Sequence, residues 1–322
     1  MRAVVIEQFG GPEQLKLRER PEPAPLPGHV VIEVKAFGLN HAEIYFRKGV
    51  WGEVAKVSGI ECVGRVRADP DGRFATGQTV AALMGGMGRT IDGSYAEFTR
   101  VPAANVVALD TTLPWDELAA IPESYATAWT CLHRNLALAP GHTVLIRGAT
   151  SALGQAAVNL AVGTGAHVIA TTRNPDRLAT LRALGAQAPM LDGARLSQDV
   201  KGIDAVLDLV GTSTLVDSLA MARPDGRVCM AGFLGGGAPL AGFDPLMHMP
   251  SGVHLSFFAS AFTFGSADYP LSGVPLQQMI DRAARGEYKA KPARVFPLDE
   301  IQEAHRLMEA GEANGKIVVR LA

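Results

Sequence analysis

"RGATSALGQAAVNLA", residues 147–161, follows directly on the apolar run "HTVLI", residues 142–146. An apolar run, a glycine-punctuated turn and an Ala-rich continuation read as a buried strand, a tight turn and a helix. In such a junction the first glycine permits the turn, the second lets the backbone approach a pyrophosphate, and the third lets helix and strand pack closely. Gly148, Ser151 and Gly154 stand at those three positions. Serine is small, and its hydroxyl offers a donor to a phosphate oxygen. The segment is therefore expected to hold a dinucleotide through Gly148, Thr150, Ser151, Ala152, Leu153 and Gly154.

The next strand-like run, "AHVIATTR" (166–173), ends roughly 20 residues after the turn, where the ribose-reading residue is expected. A carboxylate there would bind the 2′-hydroxyl and repel a 2′-phosphate. This chain has Thr171, Thr172 and Arg173, with Arg177 a helical turn later. Hydroxyls and guanidinium groups suit a dianionic phosphate, which predicts NADPH rather than NADH. The same arginine weighs against a methyltransferase using S-adenosylmethionine, whose ribose hydroxyls call for a carboxylate.

Around this junction the chain, 322 residues long, divides by texture. Up to about residue 122 short β-rich runs such as "HVVIEVKAFGL" and "GIECVGRVRA" alternate with Gly and Pro, as in a small barrel or curled antiparallel sheet. From 123 to 262 near-continuous apolar runs alternate with helix-like segments, the pattern of a doubly wound parallel sheet. Residues 263–322 end in "NGKIVVRL", a strand expected to return to the first domain and complete it. Thirty basic against 32 acidic residues give a formal charge of −2, which offers no field for nucleic acid. Cys62, Cys131 and Cys229 are too scattered for a disulfide framework or zinc knuckle. No apolar stretch is long enough to span a membrane, so a cytoplasmic protein is expected.

Eight ordered stretches then carry a resemblance: "MRAVVIEQFGGPEQLKL", "NHAEIYFRKG", "GIECVGRV", "GSYAEFTRVP", "GHTVLIRGATSALG", "GIDAVLDLVG", "GRVCMAG" and "NGKIVVRL". Over essentially its full length the chain resembles the zinc-independent quinone oxidoreductase branch of the medium-chain dehydrogenase/reductase superfamily. The resemblance implies an α/β fold, a Rossmann doubly wound parallel sheet joined to a GroES-like β-barrel catalytic domain, with the active cleft between them. It also implies a homodimer, formed by edge pairing around "VHLSFFAS" (253–260). Zinc-dependent cousins carry a Cys near the first motif and Gly-His-Glu in the second. Here those stretches read "FGLNHAE" and Gly59-Ile60-Glu61, so no metal site is expected, and the lone His41 has no partner ligand.

Metal-free hydride transfer suits an acceptor that is already electrophilic, such as a quinone or an α,β-unsaturated carbonyl. By resemblance, Asn40 and Tyr45 line the cleft as donors to a developing oxyanion, Thr127 lies near the nicotinamide, and Arg47 orders its loop. Further cofactor contacts are expected at Gly211, Gly232, Phe233, Phe258 and Ala259, with Asn314 and Lys316 meeting phosphates. Trp51 stands where related 2-enoyl thioester reductases carry a proton-donating Tyr, which weighs against that activity. The alternatives are that thioester reduction and a non-catalytic NADPH-binding sensor or structural protein.

Overall fold

The structure, a computed structural model, describes residues 1–321. The chain forms two compact units, one made of Met1–Glu123 and the segment from Ser260 onward, the other of Ser124–Ala259.

In the first unit the strands are β1 (Arg2–Ile6), β2 (Leu15–Glu19), β3 (His29–Gly38), β4 (Glu61–Ala68), β5 (Thr79–Leu83), β6 (Phe98–Pro102) and β7 (Val106–Ala108). In the second they are β8 (Thr143–Arg147), β9 (His167–Thr172), β10 (Ala188–Leu191), β11 (Ile203–Asp208), β12 (Ala222–Met230) and β13 (His254–Phe257). The chain then returns to the first unit with β14 (Arg294–Pro297) and β15 (Ile317–Arg320).

The second unit is a six-stranded sheet in the order β10-β9-β8-β11-β12-β13, every pair parallel. Val144, Leu145 and Ile146 of β8 are all buried, because helices cover both faces of such a sheet. Leu145 joins a cluster with Val206, Leu219, Met221 and Val228, while the helix Ala152–Thr164 packs on β8 and β9. The chain starts at the centre, runs outward through β9 and β10, and reverses to β11. That reversal opens a crevice beyond the carboxyl ends of β8 and β11, where open α/β sheets bind ligands.

The first unit's main sheet runs β14-β15-β3-β4-β5-β7, with β6 also paired to β3. Its long strand β3 bends at two register shifts against β4, which lets one strand serve three neighbours. The closing strand β15 lies antiparallel to β3, with Val318 opposite Gly38 and Val319 opposite Phe37. This pairing brings the exit of β3 beside the entry of β15, and the chemistry of the first unit is built there.

Candidate functional site

In the second unit the turn after β8 has the geometry its glycines require. Gly148 adopts φ +74°, a left-handed conformation that side chains resist. A Cβ on Gly154 would lie 2.4 Å from the Gly148 carbonyl oxygen, so the third glycine is demanded by the close approach of helix and turn. Ser151 is the N-cap of the helix Ala152–Thr164: its hydroxyl accepts from the Gly154 N–H at 3.0 Å and donates to the Gly148 carbonyl at 2.8 Å. This corrects the phosphate-donor role expected for Ser151, since its one hydrogen is already engaged. Gln155 N–H bonds the Ser151 carbonyl. The amides of Ala152 and Leu153 are thus left without a protein acceptor among the described residues, at the positive end of a helix. Two convergent amides in a crevice that a side chain would fill fit a pyrophosphate.

Thr150 and Thr172 bring their hydroxyls within 3.4 Å, tying this turn to the end of β9. Beyond it Arg173 is exposed and has no acidic partner among the described residues, whereas Thr171 is buried and donates to Asp192 at 2.7 Å. Arg177 lies in the short turn that Asn174 caps by accepting from Asp176 N–H.

Beneath the tips of β8 and β11 lies a charge cluster that sequence reading passed over. Arg147, opposite Asp208 in the register, is fully buried and pairs with Asp192 and with Asp217, the latter at 2.8 Å. Asp208 accepts from the N–H groups of Val210 and Gly211, each at 2.9 Å, and from Ser218. Gly211's amide is therefore spent on fixing its own loop. Gly232 abuts the Leu209 backbone, where a Cβ would meet the carbonyl at 2.5 Å. Phe233 sets its ring edge against Phe257 at 6.0 Å, Phe258 is buried with its N–H on the Met230 carbonyl, and Ala259 ends the unit. Thr127 is buried in the helix Pro122–Trp129.

In the first unit Lys316, which precedes β15, places its buried ammonium on the Glu61 carboxylate and 2.7 Å from Asn40 Oδ1. A lysine ammonium only donates, so it fixes the amide orientation. Asn40 Nδ2 then donates to Glu61 at 3.0 Å and faces the Gly38 carbonyl at 3.3 Å. Two expectations change. Both hydrogens of the Asn40 amide serve protein acceptors, which leaves none for the developing oxyanion expected of it. The charge of Lys316 is committed to Glu61, not to a cofactor phosphate. Asn314, expected beside it, sits in the turn at φ +57° that leads into Lys316, again in this unit. Gly38 is needed here because a Cβ would stand 2.6 Å from Glu61 Oε1.

Glu43, on the helix Ala42–Lys48, lies under this group. It accepts from Asn40 N–H at 2.8 Å, Ile60 N–H at 3.0 Å and the Tyr95 hydroxyl at 2.6 Å, and burial pushes its carboxyl up to about 7. Tyr95 also contacts His305 Nε2 at 2.9 Å, and burial with the nearby Arg47 charge pushes that imidazole down to about 3. Arg47 donates to the Gly10 carbonyl and pairs with Glu309, which ties the end of its helix to the turn at Gly10 and to the helix Ile301–Glu309. None of Glu43, Tyr95 and His305 was legible as a group, because Tyr95 stands 52 residues from Glu43 and 210 from His305.

Tyr45, on the same helix, stacks at 6.5 Å on Trp51, and burial raises its phenol above the ordinary value, which keeps it protonated as a donor. The residues at the positions of a zinc site do not fit a metal. Ile60 offers no ligand atom, Glu61 is neutralised by Lys316, and no group of three or more His, Cys, Asp or Glu side chains that could hold an ion occurs among the described residues.

Comparisons with known proteins agree with this construction. The family model described as zinc-binding dehydrogenase matches residues 165–319, and that described as alcohol dehydrogenase GroES-like domain matches 26–111. The chain is 27% identical to the quinone oxidoreductase of Homo sapiens, with 100% of this chain and 98% of that protein covered. It is 29% identical to the 2-haloacrylate reductase of a Burkholderia species, with 98% of each covered. It also matches squalestatin tetraketide synthase clz2 of Cochliobolus lunatus at 28% identity, but spans only 12% of that protein's length. Among solved structures, a quinone oxidoreductase of Pseudomonas syringae pv. Tomato superposes with a TM-score of 0.87 at 26% identity, covering 99% of each chain. An NAD-dependent alcohol dehydrogenase gives 0.82 at 28%, covering 100% of each. A parallel sheet with a dinucleotide turn, a GroES-like unit closed by its own C-terminal strand, and these matches together place the chain: it belongs to the medium-chain dehydrogenase/reductase superfamily, a family of oxidoreductases.

Proposed function

We propose that the protein is an NADPH-dependent reductase that passes hydride to a quinone or an α,β-unsaturated carbonyl without a metal. The observation that carries this reading is the Lys316–Glu61–Asn40 group, which fills with a neutralised ion pair the place where a metal-dependent relative would need ligands. The names of the human and Burkholderia relatives, a quinone and a haloacrylate reductase, point to electrophilic acceptors.

Bound reduced nicotinamide supplies the hydride, and its pyrophosphate is assigned to the amides of Ala152 and Leu153, with the 2′-phosphate near Arg173. The remaining work belongs to the chain. An electron pair arriving at a conjugated acceptor is delocalised onto oxygen, so the protein needs to orient a flat molecule and supply one hydrogen bond to that oxygen. Tyr45, protonated at neutral pH, is the residue assigned to that bond, and water supplies the proton that completes the reduction. Asn40, held on three sides, fixes the backbone ahead of the helix that carries Tyr45.

Loss of nicotinamide absorbance at fixed enzyme tests this, using a panel of quinones, enals, a 2-enoyl thioester and simple ketones. Turnover with quinones or enals and none with simple ketones is expected. Coenzyme binding without oxidation across the panel would instead mark a non-catalytic NADPH-binding protein.

A further inference from the structure

Arg89 lies in the turn "GGMGR" (85–89), whose N–H groups at Arg89, Thr90 and Ile91 all bond the Gly86 carbonyl at 2.9–3.1 Å. Gly88 holds φ +71° so tightly against the first unit that a Cβ would touch Gly59 N at 3.2 Å and the Phe46 ring at 3.4 Å. The turn is thus fixed, and the side chain it projects has a defined place. Arg89 is half-buried, and its guanidinium carbon lies 4.4 Å from the centre of the Phe262 ring. Among the described residues its guanidinium forms no hydrogen bond or ion pair. Phe262 itself is 67% exposed.

The other ring faces continue from there. Trp51 stacks on Phe262 at 6.2 Å with an interplanar angle of 11°, and Tyr45 stacks on Trp51 at 6.5 Å and 21°. Phe46 meets Trp51 edge-on at 5.5 Å, which keeps the indole from rotating. A row of planar rings therefore runs from the Tyr45 phenol to a guanidinium. Partial burial lowers the Arg89 pKa, with the exposed Glu53 acting against that from a distance. An arginine partly shielded from water, lying on an aromatic face and with its planar fork of donors unused, suits a carboxylate.

We infer that Arg89 is a specificity-determining residue that selects planar conjugated acceptors bearing a carboxylate at the end remote from the reacting carbonyl. The inference rests on the reductase reading for its reaction and on the Tyr45–Trp51–Phe262–Arg89 row for its geometry.

The probes are 4-carboxycinnamaldehyde and its methyl ester, which share one skeleton and differ in charge. Arg89→Met is expected to raise KM for the acid at least tenfold with kcat changed less than twofold, and to leave KM for the ester within twofold. Arg89→Lys is expected to restore most of the preference. Equal effects on both substrates, or none on either, overturn the assignment. Calorimetric titration of each probe with oxidised coenzyme present separates the two readings. Tighter binding of the acid, lost in Arg89→Met but without turnover of either probe, keeps the Arg89 assignment and sinks the reductase reading. Equal binding of acid and ester by the wild type sinks the Arg89 assignment whatever the turnover.

Discussion

Glu43 and His305 are coupled through Tyr95, and their perturbed protonation makes a sharp prediction about stability and pH. Glu43 titrates at about 7 in the folded protein against an ordinary 4.5, and His305 at about 3 against 6.5, burial being the main cause of both. Between pH 4.5 and 6.5 the folded state holds a proton on Glu43 that the unfolded chain has lost, so this group stabilises less as pH rises. Over the same window the unfolded chain holds a proton on His305 that the folded state refuses, so that group stabilises more as pH rises. Each slope approaches about 1.4 kcal/mol per pH unit, and the two nearly cancel. Glu43→Gln removes one side of the balance: relative to wild type, its stability is expected to rise by about 2 kcal/mol from pH 4.5 to 6.5. His305→Gln should fall by about 2 kcal/mol over the same interval. Urea unfolding at pH 4.5, 5.5 and 6.5 measures both. Variant and wild-type curves that stay parallel across the window would refute the reasoning.

The remaining predictions follow from single contacts. Ser151→Ala removes the cap on Gly154 and is expected to cost about 1 kcal/mol in urea unfolding. Gly154→Ala forces a Cβ to 2.4 Å from the Gly148 carbonyl, so it should cost about 1–3 kcal/mol and weaken coenzyme binding at least tenfold by calorimetry. Lys316→Met strands the Glu61 carboxylate in the interior and is expected to cost about 3–5 kcal/mol, most of it recovered in the double variant with Glu61→Gln. β13 is an edge strand with Phe257 half exposed, so light scattering should give the mass of a dimer, and a monomeric mass would count against it.

The sheet of the second unit could be read from sequence because strands buried on both faces leave unbroken apolar runs such as "HTVLI", and because glycine at 148 and 154 reports backbone constraint directly. Ser151 was misread for a definite reason: a hydroxyl at a helix entrance has both a phosphate and an N-cap as partners, and composition does not choose between them. Lys316 was misassigned because "NGK" is silent about its neighbour, Glu61, 255 residues away, until β15 is laid against β3. Arg147 was hidden at the end of an apolar run, and its two aspartates come from the loop after β10 and from the helix Thr212–Met221, which only the sheet order brings together.

The central claim is that a phosphorylated dinucleotide lies over the strand tips of the second unit, with its pyrophosphate on the Ala152 and Leu153 amides and its 2′-phosphate near Arg173. Calorimetric titration of NADPH and NADH into the wild type and Arg173→Ala tests it. NADPH should bind at least tenfold more tightly than NADH in the wild type, and Arg173→Ala should remove most of that preference. Equal affinities unaffected by the substitution would contradict the 2′-phosphate assignment, and binding of neither coenzyme would contradict the claim as a whole.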